Sequence, residues 1–91
     1  MQFDTATVVG TVRDDSNAVV QGATITLTNL DTGIGTTRIS DANGSYEFVT
    51  VRAGRCKIAA ELQEFSTATA EDVQVGVGAR QRVELQLRQA T

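Results

Sequence analysis

The chain has no histidine, no proline and no tryptophan, and a single cysteine. Without histidine it lacks the commonest general base, proton shuttle and metal ligand at once. A Ser/Thr hydrolase would have no base to activate its nucleophile. A lone cysteine excludes an intrachain disulfide. Cys56 sits in an alternating apolar run, where a small core residue is the better reading than a nucleophile. Without proline, turns must rely on the eight glycines and on Asn and Asp. Aromatics make up only 4% of the chain, so the flat platforms on which sugars stack are nearly absent. No apolar run approaches the ~18 residues that cross a bilayer. Net charge is −3, and the seven Arg and one Lys are scattered singly. No basic patch marks a nucleic-acid surface. No leader is visible ahead of Met1-Gln2-Phe3, a start that a removed signal would also leave.

What is present is β structure. Ninety-one residues suit one domain, and a chain of this length buries roughly two thirds of its unfolded surface. Apolar content of 41% and charged content of 21% fit a globular domain. Seven alternating runs recur every 8–12 residues or so, the rhythm of a sandwich. The first, 7–13, puts Val8, Gly10 and Val12 on one face. The second, 23–30, alternates Ala23, Ile25 and Leu27 with Thr24, Thr26 and Thr28, and β-branched threonines suit an exposed face. The third, 35–40, is short and polar and reads as a sheet edge, with Arg38 guarding it against stray pairing. The fourth is 45–49. The fifth, 55–62, turns Cys56, Ile58 and Ala60 inward and Lys57 outward. Phe65 is expected to plug the sandwich end. The sixth covers about 66–75. The seventh, 79–87, turns Val83, Leu85 and Leu87 inward and Arg82, Glu84 and Gln86 outward. Residues 89–91 read as a frayed tail or the start of a linker. No stretch sustains helical periodicity.

The densest local signal is Ser40-Asp41-Ala42-Asn43-Gly44-Ser45-Tyr46-Glu47-Phe48. An Asn-Gly pair beside alternating apolar residues predicts a tight hairpin, with both central residues at positive φ. Tyr46 and Phe48 then share one strand face. The same segment imitates part of a calcium loop through Asp41 and Asn43, with Asp31 or Glu47 as further oxygens. Calcium needs six to eight oxygen ligands, and only Asp41 and Asn43 have the spacing. A turn in which Asp41 caps backbone N–H groups is the preferred reading. The acidic pairs Asp14-Asp15 and Glu71-Asp72 flank polar segments and read as solvated charges. An edge strand such as 35–40 can accept a partner strand through its backbone.

Several of these segments together resemble a known family. They are Val8-x-Gly10-x-Val12, Val20-Gln21-Gly22-Ala23-x-Ile25-x-Leu27, Ser40-Asp41-x-Asn43-Gly44-x-Tyr46-x-Phe48, Ala53-Gly54-x-x-x-Ile58, and Phe65. In this order they are similar to the carboxypeptidase regulatory-like domain, over about residues 6–88. The resemblance implies an all-β, seven-stranded antiparallel Greek-key sandwich of the transthyretin type, with 1–91 as a single domain. Gly10, Gly22, Asp41, Asn43, Gly44, Tyr46, Phe48, Gly54 and Phe65 would be its structural signature.

The resemblance also implies a non-catalytic accessory role with no cofactor. Such domains accompany metallocarboxypeptidases, form stalks of bacterial surface proteins, and precede the barrels of TonB-dependent outer-membrane receptors. The threonine-rich second strand and Val73-x-Val75-x-Val77-Gly78 are closest to the bacterial receptor group. That places the domain in the cell envelope, on the periplasmic or extracellular side. Its partners would be other domains of its parent chain or envelope proteins, with a glycan or peptide as the alternative, and without nucleic acid or membrane insertion.

Three departures touch turns and one core slot. Gln21 stands where the family usually has proline. Val51-Arg52-Ala53-Gly54 and Cys56 replace a proline-rich turn and an aromatic. Glu64, not glycine, precedes Phe65. Related adhesin repeats form Lys–Asn isopeptides, but Lys57 is not on the first strand and is expected to face solvent. Transthyretin-like enzymes of purine breakdown use histidines that this chain lacks.

Overall fold

The structure, a computed structural model, describes residues 5–63, 65–78 and 80–89. The expectations for Met1–Phe3, Glu64, Ala79 and the tail at 90–91 lie outside these residues, as do the side chains of Glu71 and Asp72.

Among the described residues, nine strands form two sheets. They are β1 (Thr5–Asp14), β2 (Thr24–Asn29), β3 (Gly35–Ile39), β4 (Ser45–Arg52), β5 (Gly54–Glu61), β6 (Phe65–Ser66), β7 (Ala68–Val75), β8 (Arg80–Arg82) and β9 (Leu85–Gln89). One sheet runs β4-β1-β9-β6, with β8 also on β1; the other runs β3-β2-β5-β7. The all-β sandwich expected from the alternation is therefore present.

The inward rows match the alternation. Ala23, Ile25, Cys56, Ile58 and Ala60 are fully buried from one sheet, and Val8, Val12 and Leu87 from the other. Thr24, Thr26 and Thr28 are half-buried on the outer face. Tyr46 and Phe48 are both buried, and their rings meet edge to face with centroids 5.8 Å apart, a favoured aromatic arrangement. Phe65 and Leu62 pack against this core from the side.

Three expectations change. First, the sixth run is two strands: β6 pairs with β9 in one sheet, and β7 pairs with β5 in the other. The chain crosses between sheets at Thr67, which alternation cannot reveal because both halves keep the same period.

Second, the seventh run is also two strands, β8 and β9, and both pair with β1 in parallel. The pairing of the first and last strands is thus not antiparallel. The break at Val83-Glu84 has a visible cause. The Tyr46 hydroxyl donates to the Val83 carbonyl at 2.5 Å, over Gly10, where no Cβ intervenes. Glu84 Oε2 then accepts the Thr11 N–H at 2.8 Å, filling a place that a ladder carbonyl would otherwise hold.

Third, Asp41–Gly44 is not a hairpin turn. β3 pairs with β2 and β4 pairs with β1, so the segment is a corner between sheets. Among the described residues only Asn17 has positive φ without being glycine, so Asn43 does not; Gly44 stands at φ 74°. The corner is stitched to both sheets. Buried Ser40 donates its hydroxyl to the Val20 carbonyl at 2.8 Å and accepts the Ala23 N–H at 2.9 Å. At the other end the Gly44 carbonyl accepts the Val12 N–H at 2.8 Å. These anchors pull the ends of the turn into different sheets and prevent β3 and β4 from pairing.

Candidate functional site

The corner positions Asp41 first. One of its carboxylate oxygens, Oδ1, accepts the N–H groups of Asn43 and Ser45, each at 2.9 Å. The Gly44 N–H donates to the Asp41 carbonyl at 2.9 Å. That oxygen thus serves the backbone of its own turn. Asp31 lies on the β2–β3 turn, with Oδ2 near Gly54. Glu47 lies on β4, 3.7 Å from Arg80. Among the described residues no group of three or more His, Cys, Asp or Glu gathers as a metal site would need.

The other sequence candidates are dispersed. Asp14 Oδ1 accepts from Ser16 N, Ser16 Oγ and Ala18 N at 2.7–3.0 Å. These bonds, the Ser16 hydroxyl foremost, hold the Asp14 carboxyl below the usual carboxylate range. Cys56 is fully buried, and burial, followed by the charge of Asp31, pushes its thiol up, away from the reactive thiolate. Lys57 stands across from Thr28 on the face opposite Cys56 and Ile58. Burial, then the Glu84 charge, pushes the Tyr46 phenol well above its ordinary value, so it stays a donor. Gly22 stands in the bend before β2 at φ 83°, and Gly54 opens β5 at φ 137°.

Among the surface concavities lined by described residues, two lie beside β3 and β4. A polar hollow of about 450 Å³ lies where Arg38, Asp41, Glu47, Arg80 and Arg82 converge above Tyr46. Its charges are partly matched: Arg80 meets Glu47, and Arg82 stands 3.5 Å from Glu84, all with exposed side chains. Such exposed pairs contribute little to stability.

The second concavity is an apolar cleft of about 180 Å³ between edge strands β3 and β4. Leu27 and Phe48 form its floor, and Ile34, Thr36 and Val49 its walls. Ile34 is 68% exposed and Val49 54%. Sequence reading identified β3 as an edge but missed this cleft. Its walls come from β3 with the turn before it and from β4, which never pair, so no local pattern links them. The exposed apolar residues Ile34 and Val49, out of phase with the core rows, were the available signal.

The fold has recognisable relatives. A candidate carbohydrate-binding protein from Bacteroides uniformis superposes with a TM-score of 0.71 at 18% identity, over 90% of this chain and 40% of that one. Catechol 1,2-dioxygenase from Acinetobacter sp. ADP1 gives 0.78 at 10% identity, over 100% and 54%. A type II cohesin–X-dockerin complex from Acetivibrio cellulolyticus gives 0.65 at 19%, over 90% and 56%. At these identities the likeness is one of fold. This chain spans roughly half or less of the length of each of these three chains. No curated protein matches the sequence. The family model for the carboxypeptidase regulatory-like domain matches residues 7–88, which hold both sheets, the Tyr46 anchor and the Asp41 corner. The chain belongs to the carboxypeptidase regulatory-like domain family.

Proposed function

We propose that the chain is a single, non-catalytic accessory module of a larger bacterial cell-envelope protein, either ahead of a TonB-dependent receptor barrel or within a surface protein. Its work is spacing and protein contact on the periplasmic or extracellular side. The observation that carries this reading is the family match across nearly the whole chain. It is supported by the engagement of the candidate chemical groups in structural roles: Asp14 and Asp41 in turns, Tyr46 across the sheet and Cys56 in the core. The dioxygenase likeness carries no activity here, since a shared fold does not transfer chemistry. The test is the complete reading frame. A barrel, peptidase or further surface domain encoded after Thr91 is expected. A gene that stops at Thr91 and encodes nothing else would overturn the proposal.

The second reading is a carbohydrate- or peptide-binding module. The apolar cleft favours the peptide branch, because it offers no flat aromatic face to a sugar: the Phe48 and Tyr46 rings are buried.

The Asp41 corner is proposed as scaffold rather than a calcium site. Thermal unfolding with and without millimolar calcium is expected to give the same Tm. A ligand bound only by the native state at a hundred times its Kd would add about 2.7 kcal/mol, so a clear upward shift would reinstate the site.

A further inference from the structure

We propose that the β3 edge and the cleft beside it form one docking site for an extended segment of a partner protein. The segment would add antiparallel to β3, place an apolar side chain in the cleft and set a carboxylate against Arg38. This rests on the reading of the domain as a contact module and names the surface that makes the contact.

The backbone is the first observation. Asn29 N–H donates to the Ile34 carbonyl, and Ser40 N–H donates to the Ala23 carbonyl, both at 2.9 Å. In an antiparallel ladder, successive residues turn their N–H and C=O groups alternately toward and away from the neighbouring strand. With these two pairs fixed, Thr36 and Arg38 bond toward β2, while Gly35, Thr37 and Ile39 turn theirs outward. β3 ends its sheet, and all five of its residues are exposed. Three residues in alternation therefore turn a donor and an acceptor outward; the Thr37 carbonyl already accepts one hydrogen bond from Arg38 Nη1 at 2.9 Å and keeps its second lone pair, so the array is one that another strand matches and a glycan does not.

The cleft is independent of the first observation and points to the same occupant. Thr36 lies across from buried Leu27 and Arg38 across from Ile25, so these two share the inner face. A strand added to β3 would continue that face directly over the cleft. The volume of about 180 Å³ is close to that of a cavity of about 150 Å³ that accepts a benzene. It lies below the ~300 Å³ at which small-molecule pockets begin. One Leu or Phe side chain fits, and a free metabolite would be largely exposed.

Charge selects the remaining position. The Arg38 guanidinium stands 5.6 Å from the Phe48 ring centroid, held at the mouth of the inner face. A guest residue opposite it would meet a fixed positive charge, which favours Glu or Asp and rejects Lys. Arg38 thus has a double effect: it discourages unselective edge pairing and rewards an acidic guest.

The probe is the heptapeptide acetyl-TETLTLT-amide, whose glutamate falls opposite Arg38 and whose leucines fall opposite Thr36 and Ile34. It is titrated into the ¹⁵N-labelled domain. Saturable shifts are expected at the amides of Ile34–Ile39, Phe48 and Val49, with a Kd on the order of 1 mM. N-methylation of the peptide's first three threonines, which face β3, should weaken binding at least tenfold. The same loss is expected for Thr37→Pro, which deletes an outward N–H and leaves the β2 ladder intact. Arg38→Glu should weaken this peptide and improve its Glu-to-Lys counterpart.

Absence of saturable shifts, shifts centred elsewhere, or equal binding of the N-methylated peptide would overturn the proposal. So would shifts at Gly35–Ile39 that grow with protein concentration alone, which would assign the edge to a second copy. None of these results bears on what the reading frame encodes, so failure here is separable from failure of the accessory-module reading.

Discussion

Gly10→Val is expected to cost the domain about 4 kcal/mol, the sum of overpacking and a lost buried hydrogen bond. That is a large part of the total stability of a small domain, about 5–15 kcal/mol. The cost is steric, and backbone freedom plays no part in it. A Cβ at Gly10 would overlap the Val83 carbonyl and approach Tyr46 Oη at 2.5 Å and Cζ at 2.7 Å. None of these atoms can step aside cheaply. Tyr46 is buried against Phe48, and Val83 is tied to Val9 through its N–H at 2.8 Å. Relief requires expelling the phenol, which breaks its bond to Val83 and strands a carbonyl.

Urea denaturation measures this effect, with two controls. Tyr46→Phe removes the hydroxyl but creates no clash, and should cost about 1–2 kcal/mol. Gly35→Val places its Cβ no closer than 3.5 Å to any neighbour, on an exposed strand, and should stay within about 0.5 kcal/mol of the parent. If Gly10→Val unfolded at the parent's midpoint, the Tyr46–Val83 anchor would not exist as described.

Gly44→Val is the second large effect, expected at about 3–4 kcal/mol from left-handed backbone strain plus a core clash. Gly44 has φ 74°, where a β-branched residue is an outlier. Its Cβ would also come within 2.7 Å of the Val12 carbonyl, 3.0 Å of Val19 Cβ and 3.1 Å of Val20 N. Gly78 separates the two contributions: it has nearly the same φ, 73°, with nothing within 4 Å of its Cβ position. Gly78→Val should therefore show the backbone cost alone. Equal losses at both positions would mean that the corner does not press on β1.

These two glycines also show how far the sequence could be read. Alternation located the inward rows on β1, β2, β5 and β9, because burial on one side of a strand leaves a period of two. The Asp41-Ala42-Asn43-Gly44 chemistry marks a turn but not the strands that the turn joins. Turn chemistry is local, whereas the choice between hairpin and corner is made by Ser40 and Gly44 bonding to residues 17 or more positions away. The divided runs at Thr67 and Val83 were invisible for a similar reason. A strand that changes sheet or partner keeps its hydrophobic period. The cleft was unreadable because β3 and β4 meet only after the corner has sent them to different sheets. The family signature was legible because it combines turn residues and core residues in a fixed order.

The parallel register between the first and last strands has a mechanical consequence. Thr7 lies beside Arg80, and Asp14 beside Leu87, so the first and last strands run side by side in the same direction. Thr5 and Gln89 therefore leave from opposite ends of the sandwich. Tension applied between them would slide β1 along β8 and β9, loading those backbone bonds together rather than peeling them one at a time. A module strung into a longer chain through these two strands would resist a pull along its axis as a shear joint.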